Sequence, residues 1–403
     1  MPPRILVLAL ASFAMGTETH VFAGHLAALA TELGVTVAVA GQLATAFALT
    51  YAVSAPVIAS FCARFDRKTV LIVGLLLLGV LNIAAAAVPS FTPLIVIRIL
   101  CGIAAGLVGP AAPAAAAVLA PPEKRGKALA VVLAGLTLAF VLGVPLGSVV
   151  GDLFDWRATF VFSGILAFLA AAATGIVLPR VPGGERAGLK TLLIARERRV
   201  ALPLLLTMVG LAATFCVISY IGPVVNRISG LEGSGVGAMQ ALIGIGSIAG
   251  LALGGIAADR AGAPRLLVGS FFVTVAAMGG YSALLAAQTP EHASLGQMAA
   301  TGLLALTIMA GAVAVFARAP IIQASLVAAV PEARAVALAL NSSMVFVGQG
   351  LGAAIGGLVI AEAGVIWVGA AGAVLGLLGI GLALTSLDRT PVPAPKLAPE
   401  MAE

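Results

Sequence analysis

The sequence predicts an all-α integral membrane protein in which twelve transmembrane helices form two pseudo-symmetric six-helix bundles. Composition is the first observation, because 61% of the 403 residues are hydrophobic and 9% are charged, whereas soluble domains carry about 25% charged residues. The second is a series of apolar runs, each long enough for the roughly 20 residues that cross a bilayer. These runs lie near residues 5–30, 38–62, 70–88, 93–119, 127–151, 158–178, 200–222, 237–258, 265–287, 297–329, 335–361 and 366–386.

The third observation is an internal repeat. Residues Pro122–Ala130 recur as Pro331–Ala339 with six of nine positions identical, and the same offset aligns Gly143 with Gly352. Such duplication is typical of transporters whose site lies between two related halves. We therefore predict an N-terminal six-helix bundle over 1–178, a cytoplasmic linker over 179–199, a C-terminal six-helix bundle over 200–387 and a disordered, proline-rich cytoplasmic tail over 388–403.

The distribution of basic residues predicts the orientation. The formal net charge is +6, and most of the 22 Lys and Arg fall in alternate loops on one side of the predicted membrane. Because cytoplasmic loops are enriched in Lys and Arg, we expect a multi-pass protein of the cytoplasmic (inner) membrane with both termini in the cytoplasm. The even number of helices agrees with this orientation. The lipid bilayer thus accounts for the basic charge, and no nucleic-acid partner is expected.

Metal, cofactor and enzyme chemistry are not expected from this sequence. The three cysteines lie in or beside apolar runs, with neither a disulfide framework nor a metal-binding spacing. The three histidines do not combine with a nucleophile into a catalytic set. We therefore expect no metal, no cofactor and no enzymatic activity from these six residues, which are Cys62, Cys101, Cys216, His20, His25 and His292.

Glu18 stands near the middle of the first apolar run. A carboxylate at the centre of a transmembrane helix costs about 2.5–3.5 kcal/mol on insertion scales, so it is expected to face a cavity or a partner. His25 follows seven residues later, which in a regular helix places it about 20° away and roughly 10 Å along the axis, on the same face. Because apolarity resumes after Glu18, a spanning helix is favoured over a signal peptide.

Two arginines also lie inside apolar runs. Arg98 is several residues inside the fourth run, at about the height of His25, so we expect it to face a cavity rather than to snorkel to the interface. Arg318 lies in the cytoplasmic third of the tenth run. There we expect snorkelling instead.

The turn after the second run and its counterpart after the eighth resemble a signature of the major facilitator superfamily. The second copy keeps Gly255, Asp259, Arg260 and Gly262 of that signature. The first copy departs from it, with Ala63 in place of the acid and an acid three residues further on. The resemblance implies that these turns contribute to a cytoplasmic gate, through Arg64, Asp66, Arg67, Asp259 and Arg260.

The fifth run carries Gly143, Pro145 and Gly147, which predict a kinked surface suited to close helix packing. This pattern is similar to the antiporter signature of the exporting branches of the superfamily, and Arg98 followed by Gly102 is similar to a pattern linked there to proton transfer. The resemblance, to the twelve-helix drug/proton antiporter branch and to arabinose or sugar efflux permeases, covers nearly the whole chain. One departure is that Glu18 stands one place earlier than the usual acid, with His20 replacing an aromatic residue.

The resemblance implies a secondary active transporter that exports a small molecule, such as a drug-like compound, a sugar or a related metabolite, in exchange for protons. We expect Glu18 to carry the proton under the control of Arg98 or His25; alternatively, Glu18 binds a cationic substrate. A proton-coupled uptake permease or a facilitator of the same fold is the main alternative, and a channel is a further one. Candidate substrate-cavity residues are His20, Gln42, Tyr51, Phe215, Tyr220, Gln323 and Asn341.

The repeated turn itself is expected to be part of the gate. It precedes the fifth run in the first half and the eleventh in the second, and the first copy alone is strongly basic. We therefore expect an asymmetric gate in which Arg125 contributes more than Arg334. The protein is expected to act as a monomer.

Overall fold

The computed structural model describes residues 2–183, 189–258, 262–289, 292–293 and 296–387. Within these residues it contains 12 helices long and apolar enough to cross a membrane, which confirms the predicted fold class. The predicted tail over 388–403 lies outside the described residues, as do Asp259 and Arg260.

The helices are α1, Pro3–Glu32; α2, Val37–Cys62; α3, Arg67–Ala86; α4, Phe91–Leu119; α5, Arg125–Leu153; α6, Trp156–Val177; α7, Arg198–Ile218; α8, Gly233–Ala258; α9, Ala263–Ala287; α10, Gln297–Ala329; α11, Arg334–Ala363; and α12, Val368–Leu387. Two short antiparallel strands, β1 (Gln288–Thr289) and β2 (His292–Ala293), lie between α9 and α10.

The first helix of each half is interrupted. Helix α1 is regular to His20, passes through a 3-10 segment over Val21–His25 and resumes at Leu26. Helix α7 ends at Ile218 and restarts as a short helix over Ile221–Ser229. The two interruptions meet, because a Cβ added at Gly222 would lie 2.6 Å from the carbonyl oxygen of Ala23. The break in one half therefore packs directly on the break in the other.

Helix α5 contains a π-helical segment over Ala139–Gly143, immediately before Pro145. Proline has no N–H to donate and its ring displaces the carbonyl of the residue four positions earlier, here Val141. A one-turn widening accommodates both effects. The irregular fifth helix expected from the sequence thus takes the form of a π-segment.

The repeated turns have the same structure in both halves. Pro122–Lys124 and Pro331–Ala333 each form a 3-10 turn, and a long helix begins directly after it, at Arg125 or at Arg334. The sequence repeat therefore marks equivalent connections, from α4 to α5 and from α10 to α11.

We call the end of the bundle that carries Pro3 and residues 178–183 and 189–197 the terminus face. The end that carries the turns 33–36 and 154–155 is the opposite face. The halves, 3–177 and 198–387, pack on each other mainly through α2 against α11 and α5 against α8. Each half has its own buried apolar clusters. Large apolar side chains cover the outer surface, as a lipid-facing surface requires; Ile176 is 84% exposed.

Candidate functional site

The predicted charges Glu18 and Arg98 form a buried ion pair inside the N-terminal half. Arg98 Nη1 donates to Glu18 Oε1, and the two side chains are 0% and 2% exposed. The guanidinium group also donates to the backbone carbonyls of Glu18 and Thr19, each at 3.4 Å. Glu18 Oε2 has no hydrogen-bond partner among the described residues. Arg98 therefore lies inside the N-terminal half rather than at its surface, and gives Glu18 the partner that a buried carboxylate requires.

Two aromatic rings enclose the charged end of Arg98. Its guanidinium carbon lies 5.0 Å from the ring centroid of Phe22 and 4.7 Å from that of Phe47. Phe47 reaches this position because α2 and α4 approach closely at Gly102, where an added Cβ would lie 2.6 Å from the Phe47 carbonyl oxygen. Such cation–π contacts hold a positive charge without neutralising it.

His20 lies at the seam between the halves, two residues beyond Glu18. Its ring centroid is 5.2 Å from that of Phe140 on α5 and 5.4 Å from that of Phe215 on α7. The ring is buried, and Nδ1 has no hydrogen-bond partner among the described residues. The structure thus brings together the predicted cavity residues His20 and Phe215, and adds Phe140, which the sequence analysis did not identify.

His25 lies apart from the Glu18–Arg98 pair. The 3-10 segment before it advances by about 120° per residue instead of 100°, so the seven-residue spacing does not place His25 as a regular helix would. Its Nε2 lies 3.2 Å from Asp152 Oδ1 at the end of α5. Asp152 Oδ2 accepts the backbone N–H of Ser234 at 2.5 Å, in the first turn of α8. His25, Asp152 and Ser234 therefore form a polar joint between the halves near the opposite face.

Gln42 and Tyr220 form a second contact between the halves. Gln42 Nε2 donates to the Tyr220 hydroxyl at 3.3 Å, and that hydroxyl lies 2.9 Å from the carbonyl oxygen of Ala353, to which it donates. Tyr220 is fully buried, at the break in α7. These two predicted cavity residues thus connect α2 with α7 and α11.

The remaining predicted cavity residues lie in three different settings. The Tyr51 ring centroid is 3.9 Å from that of Phe346 on α11, so Tyr51 contributes to the seam at mid-depth. Asn341 Oδ1 accepts the hydroxyl of Thr207 at 2.7 Å, which ties α11 to α7 within the C-terminal half. Gln323 is exposed on α10.

The glycines of α5 meet α1 at regular intervals. A Cβ at Gly143 would overlap the Thr17 side chain, a Cβ at Gly147 would overlap Val21, and a Cβ at Gly151 would overlap the ring of His25. The three glycines of α5 are four residues apart, and so are their three partners on α1. The two helices therefore contact each other along matching rows of residues. Gly143 and Gly147, with Pro145 between them, thus hold α1 against α5 along the segment that carries Glu18.

The charged residues predicted for the gate lie at the terminus face as far as the structure describes them, without Asp259 and Arg260. Asp66 Oδ1 accepts the N–H of Thr69, which caps α3, and Oδ2 accepts the N–H of Val181 at 3.0 Å. The Asp66 carboxylate therefore anchors the start of the linker to the first half. Arg64, Arg125 and Arg334 are exposed, and Arg67 is half-buried.

Arg318 is buried, so the expectation that it snorkels is wrong. Arg318 is 1% exposed, although it lies in the last third of α10, eleven residues before the helix ends at Ala329. The guanidinium carbon lies 4.2 Å from the Phe271 ring centroid, and Nη2 donates to the Thr274 hydroxyl at 3.0 Å. Arg318 thus packs inside the C-terminal half.

Twelve spanning helices in two related halves, with a buried ion pair near their seam, define a two-domain membrane transport protein. The chain matches the family model of the Major Facilitator Superfamily over residues 6–317 and over 204–402. It is 31% identical over 379 residues to the uncharacterized MFS-type transporter YbcL of Bacillus subtilis (strain 168), covering 93% of this chain and 94% of YbcL. The chain belongs to the Major Facilitator Superfamily, as its sequence predicted.

Other relatives and solved structures agree with this assignment. A chloramphenicol resistance protein of Streptomyces lividans is 33% identical over 285 residues, which cover 67% of this chain and 72% of that protein. A crystal structure of a bacterial homologue of the human lysosomal transporter Spinster, in an inward-facing and occupied conformation, superposes with a TM-score of 0.74 at 17% identity, over 95% of this chain and 96% of the homologue. A D-xylose–proton symporter superposes with a TM-score of 0.73 at 18% identity, over 94% and 96% of the two chains. At these identities the superpositions establish a common fold.

Proposed function

We propose that the protein is a proton-coupled exporter of a small molecule, and that Glu18 is its proton-binding group. The observation that carries the proposal is the buried pair of Glu18 and Arg98, with both side chains almost completely removed from solvent. Ionisable groups inside transmembrane segments mark ion or substrate pathways. The chloramphenicol resistance protein of Streptomyces lividans supports export of a drug-like compound as the direction and substrate class.

The surroundings of Arg98 suit a carboxylate that gains and loses a proton. When Glu18 is ionised, the ion pair neutralises both charges. When Glu18 is protonated, Arg98 keeps the two backbone carbonyls and the faces of Phe22 and Phe47 as partners. Breaking a buried ion pair normally leaves one charge without compensation, and here these partners reduce that penalty. Both protonation states of Glu18 are therefore accommodated.

His20 provides the connection between this pair and the substrate path. It lies on the same helix as Glu18, and its ring touches Phe140 of one half and Phe215 of the other. A relative movement of the halves therefore changes the surroundings of His20 two residues from the proton site. We propose that substrate contacts His20 and Phe215, and that the other cavity candidates, Gln42, Tyr51 and Tyr220, contribute to closure of the seam.

The contacts across the seam support alternating access by movement of the halves. Asp152 with Ser234 and Gln42 with Tyr220 join the halves toward the opposite face, and Tyr51 with Phe346 joins them at mid-depth. We infer that this state opens toward the terminus face. With the termini in the cytoplasm of a monomer in the inner membrane, that state would take up substrate for export.

The experiment that tests the proposal uses inverted membrane vesicles with an imposed interior-acid pH gradient. The transported compound is chosen by comparing the drug susceptibility of cells with and without the protein, beginning with chloramphenicol. Gradient-driven uptake into these vesicles is expected for the native protein and lost in Glu18→Gln.

Glu32→Gln is the matched control, because Glu32 lies on the same helix in a surface pair with Arg157. Full gradient-driven transport by Glu18→Gln would show that Glu18 is not the proton site. Transport in the reverse direction would favour the uptake permease, and loss of transport in Glu18→Gln for cationic compounds alone would favour a substrate-binding role.

A further inference from the structure

A groove lies within the N-terminal half, toward the terminus face. It is formed by the last turns of α2, the first turn of α3 and the second half of α4, and its cleft has a volume of about 140 Å³. Its wall is mainly apolar and includes Ile58, Val70, Leu107, Pro110, Ala111 and Ala114. These side chains leave a surface complementary to a hydrocarbon chain.

Arg67 is the charged residue in this wall. It is half-buried, and its Nε is buried without a hydrogen-bond partner among the described residues. Among the described residues the adjacent Asp66 forms no ion pair with Arg67, and its two oxygens are oriented toward the backbone N–H groups of Thr69 and Val181. A guanidinium group held partly out of water without an anion is costly. The groove therefore combines an apolar cleft with an unsatisfied cation at its rim.

We propose that this groove binds an anionic phospholipid, with the lipid phosphate on Arg67 and one acyl chain in the cleft. Guanidinium groups bind phosphate through short, charge-assisted hydrogen bonds. Many of the described basic residues lie at the terminus face, among them Arg4, Arg64, Lys68, Lys124 and Arg125, and a basic membrane face attracts anionic lipid. Among the described helices only α2, α3 and α4 line the groove, so the proposed lipid site is formed by the N-terminal half.

The neighbouring Arg64 provides a matched control. It lies three residues before Arg67, has the same charge and is exposed, with its guanidinium carbon 4.8 Å from the Phe65 ring centroid. It is not part of the groove wall. A general attraction of anionic lipid to this face would depend on both arginines, whereas occupation of the groove depends on Arg67.

Cys62 offers a direct report of occupation, because it lines the groove and is partly exposed, whereas Cys101 and Cys216 are buried. A lipid chain in the groove covers its thiol. Modification of Cys62 by a maleimide is therefore expected to slow when the lipid binds.

The experiment compares the full-length protein in nanodiscs of phosphatidylcholine with and without phosphatidylglycerol. Phosphatidylglycerol is expected to raise the Tm of the native protein and of Arg64→Gln by at least about 2 °C, to remain bound in native mass spectra, and to slow maleimide labelling of Cys62. Arg67→Gln is expected to lose all three effects. Ala114→Leu, which fills the cleft and leaves the arginine in place, is expected to retain less lipid.

An equal response to phosphatidylglycerol in Arg67→Gln and the native protein would overturn the proposal, as would an equal loss in Arg64→Gln. Inorganic phosphate at matched concentration, in phosphatidylcholine nanodiscs, should reproduce none of the effects. If it does, the site binds phosphate rather than a lipid. A variant that fails to fold is replaced by Arg67→Lys, which keeps the charge and should retain part of the lipid response.

Discussion

Asp152 at the end of α5 accepts the backbone N–H of Ser234 at the start of α8 at 2.5 Å, so one carboxylate joins the two halves of the protein. The acceptor lies in the N-terminal half, and the donor belongs to the first turn of a helix in the C-terminal half. The exposed N–H groups of a helix N-terminus favour a negative charge at that position. This contact is therefore the clearest candidate for a bond that must break when the seam opens toward the opposite face.

Replacing Asp152 with Ala is expected to open that seam. A hydrogen bond to a charged group contributes about 1.5–3 kcal/mol. Its loss should shift the equilibrium between the closed and the open seam by roughly tenfold or more toward the open state. Spin labels at Leu153 and Met298, which are 71% and 89% exposed in different halves, should report a larger population of long distances. Asp155→Asn is the control, because Asp155 caps α6 within one half. Unchanged distances in Asp152→Ala would show that this bond does not hold the seam.

Replacing Arg98 with Met is expected to destabilise the protein by about 3–5 kcal/mol, because it leaves Glu18 buried and ionised without a partner. The double variant Glu18→Gln/Arg98→Met should be more stable than Arg98→Met alone. Thermal unfolding in detergent measures the difference. A double-mutant cycle on the exposed pair of Glu32 and Arg157 is the control. Its coupling free energy is expected to be about 0–1 kcal/mol. Additive effects of the two substitutions at Glu18 and Arg98 would contradict the role of the pair.

Gly143→Ala is expected to reduce both stability and transport, because the new methyl group would overlap the Thr17 side chain on α1. Overpacking of this kind costs about 1–3 kcal/mol. Gly126→Ala is the same substitution on the same helix at a position with no atom within 4 Å, and there the higher helix propensity of Ala should leave stability equal or raised. Thermal unfolding and transport into vesicles are measured for both variants. Equal stability and equal transport would argue against close packing as the role of Gly143.

Arg125→Ala is expected to reduce transport more than Arg334→Ala. The two arginines begin equivalent helices and both are exposed, but the first copy of the turn also carries Lys124 and Lys127, where the second has Ala333 and Val336. The gate is therefore expected to depend more on the first copy. Equal loss in the two variants, at equal protein levels in the membrane, would exclude this asymmetry.

The fold and the importance of the two charges inside apolar runs could be inferred because their signals are local. Twelve apolar runs follow directly from composition along the chain, and Glu18 and Arg98 stand out because charges are costly inside such runs. Their direct contact could not be derived in the same way. It depends on how α1 and α4 are rotated and on the positions of Phe22 and Phe47, which no sequence spacing specifies.

The other polar contacts were missed for identifiable reasons. The position of His25 was inferred from a regular helix, but the 3-10 segment before it changes its direction. The contact of Asp152 with Ser234 joins residues 82 positions apart, and the sequence signal that could have indicated it was a carboxylate directly after the last glycine of the α5 row. Arg318 was assigned to the interface from its place in the last third of α10, but its burial depends on contacts with Phe271 and Thr274 of α9, which sequence spacing does not specify.

The crossing of α1 and α7 at their interruptions has a mechanical consequence. Each helix stops and restarts at the level where it touches the other, with Gly222 seated against the backbone of Ala23. The regular backbone hydrogen bonds of both helices are interrupted over only a few residues at this level, and α-helical segments continue on either side. We therefore expect bending of both helices to be concentrated at this crossing when the two halves move relative to each other.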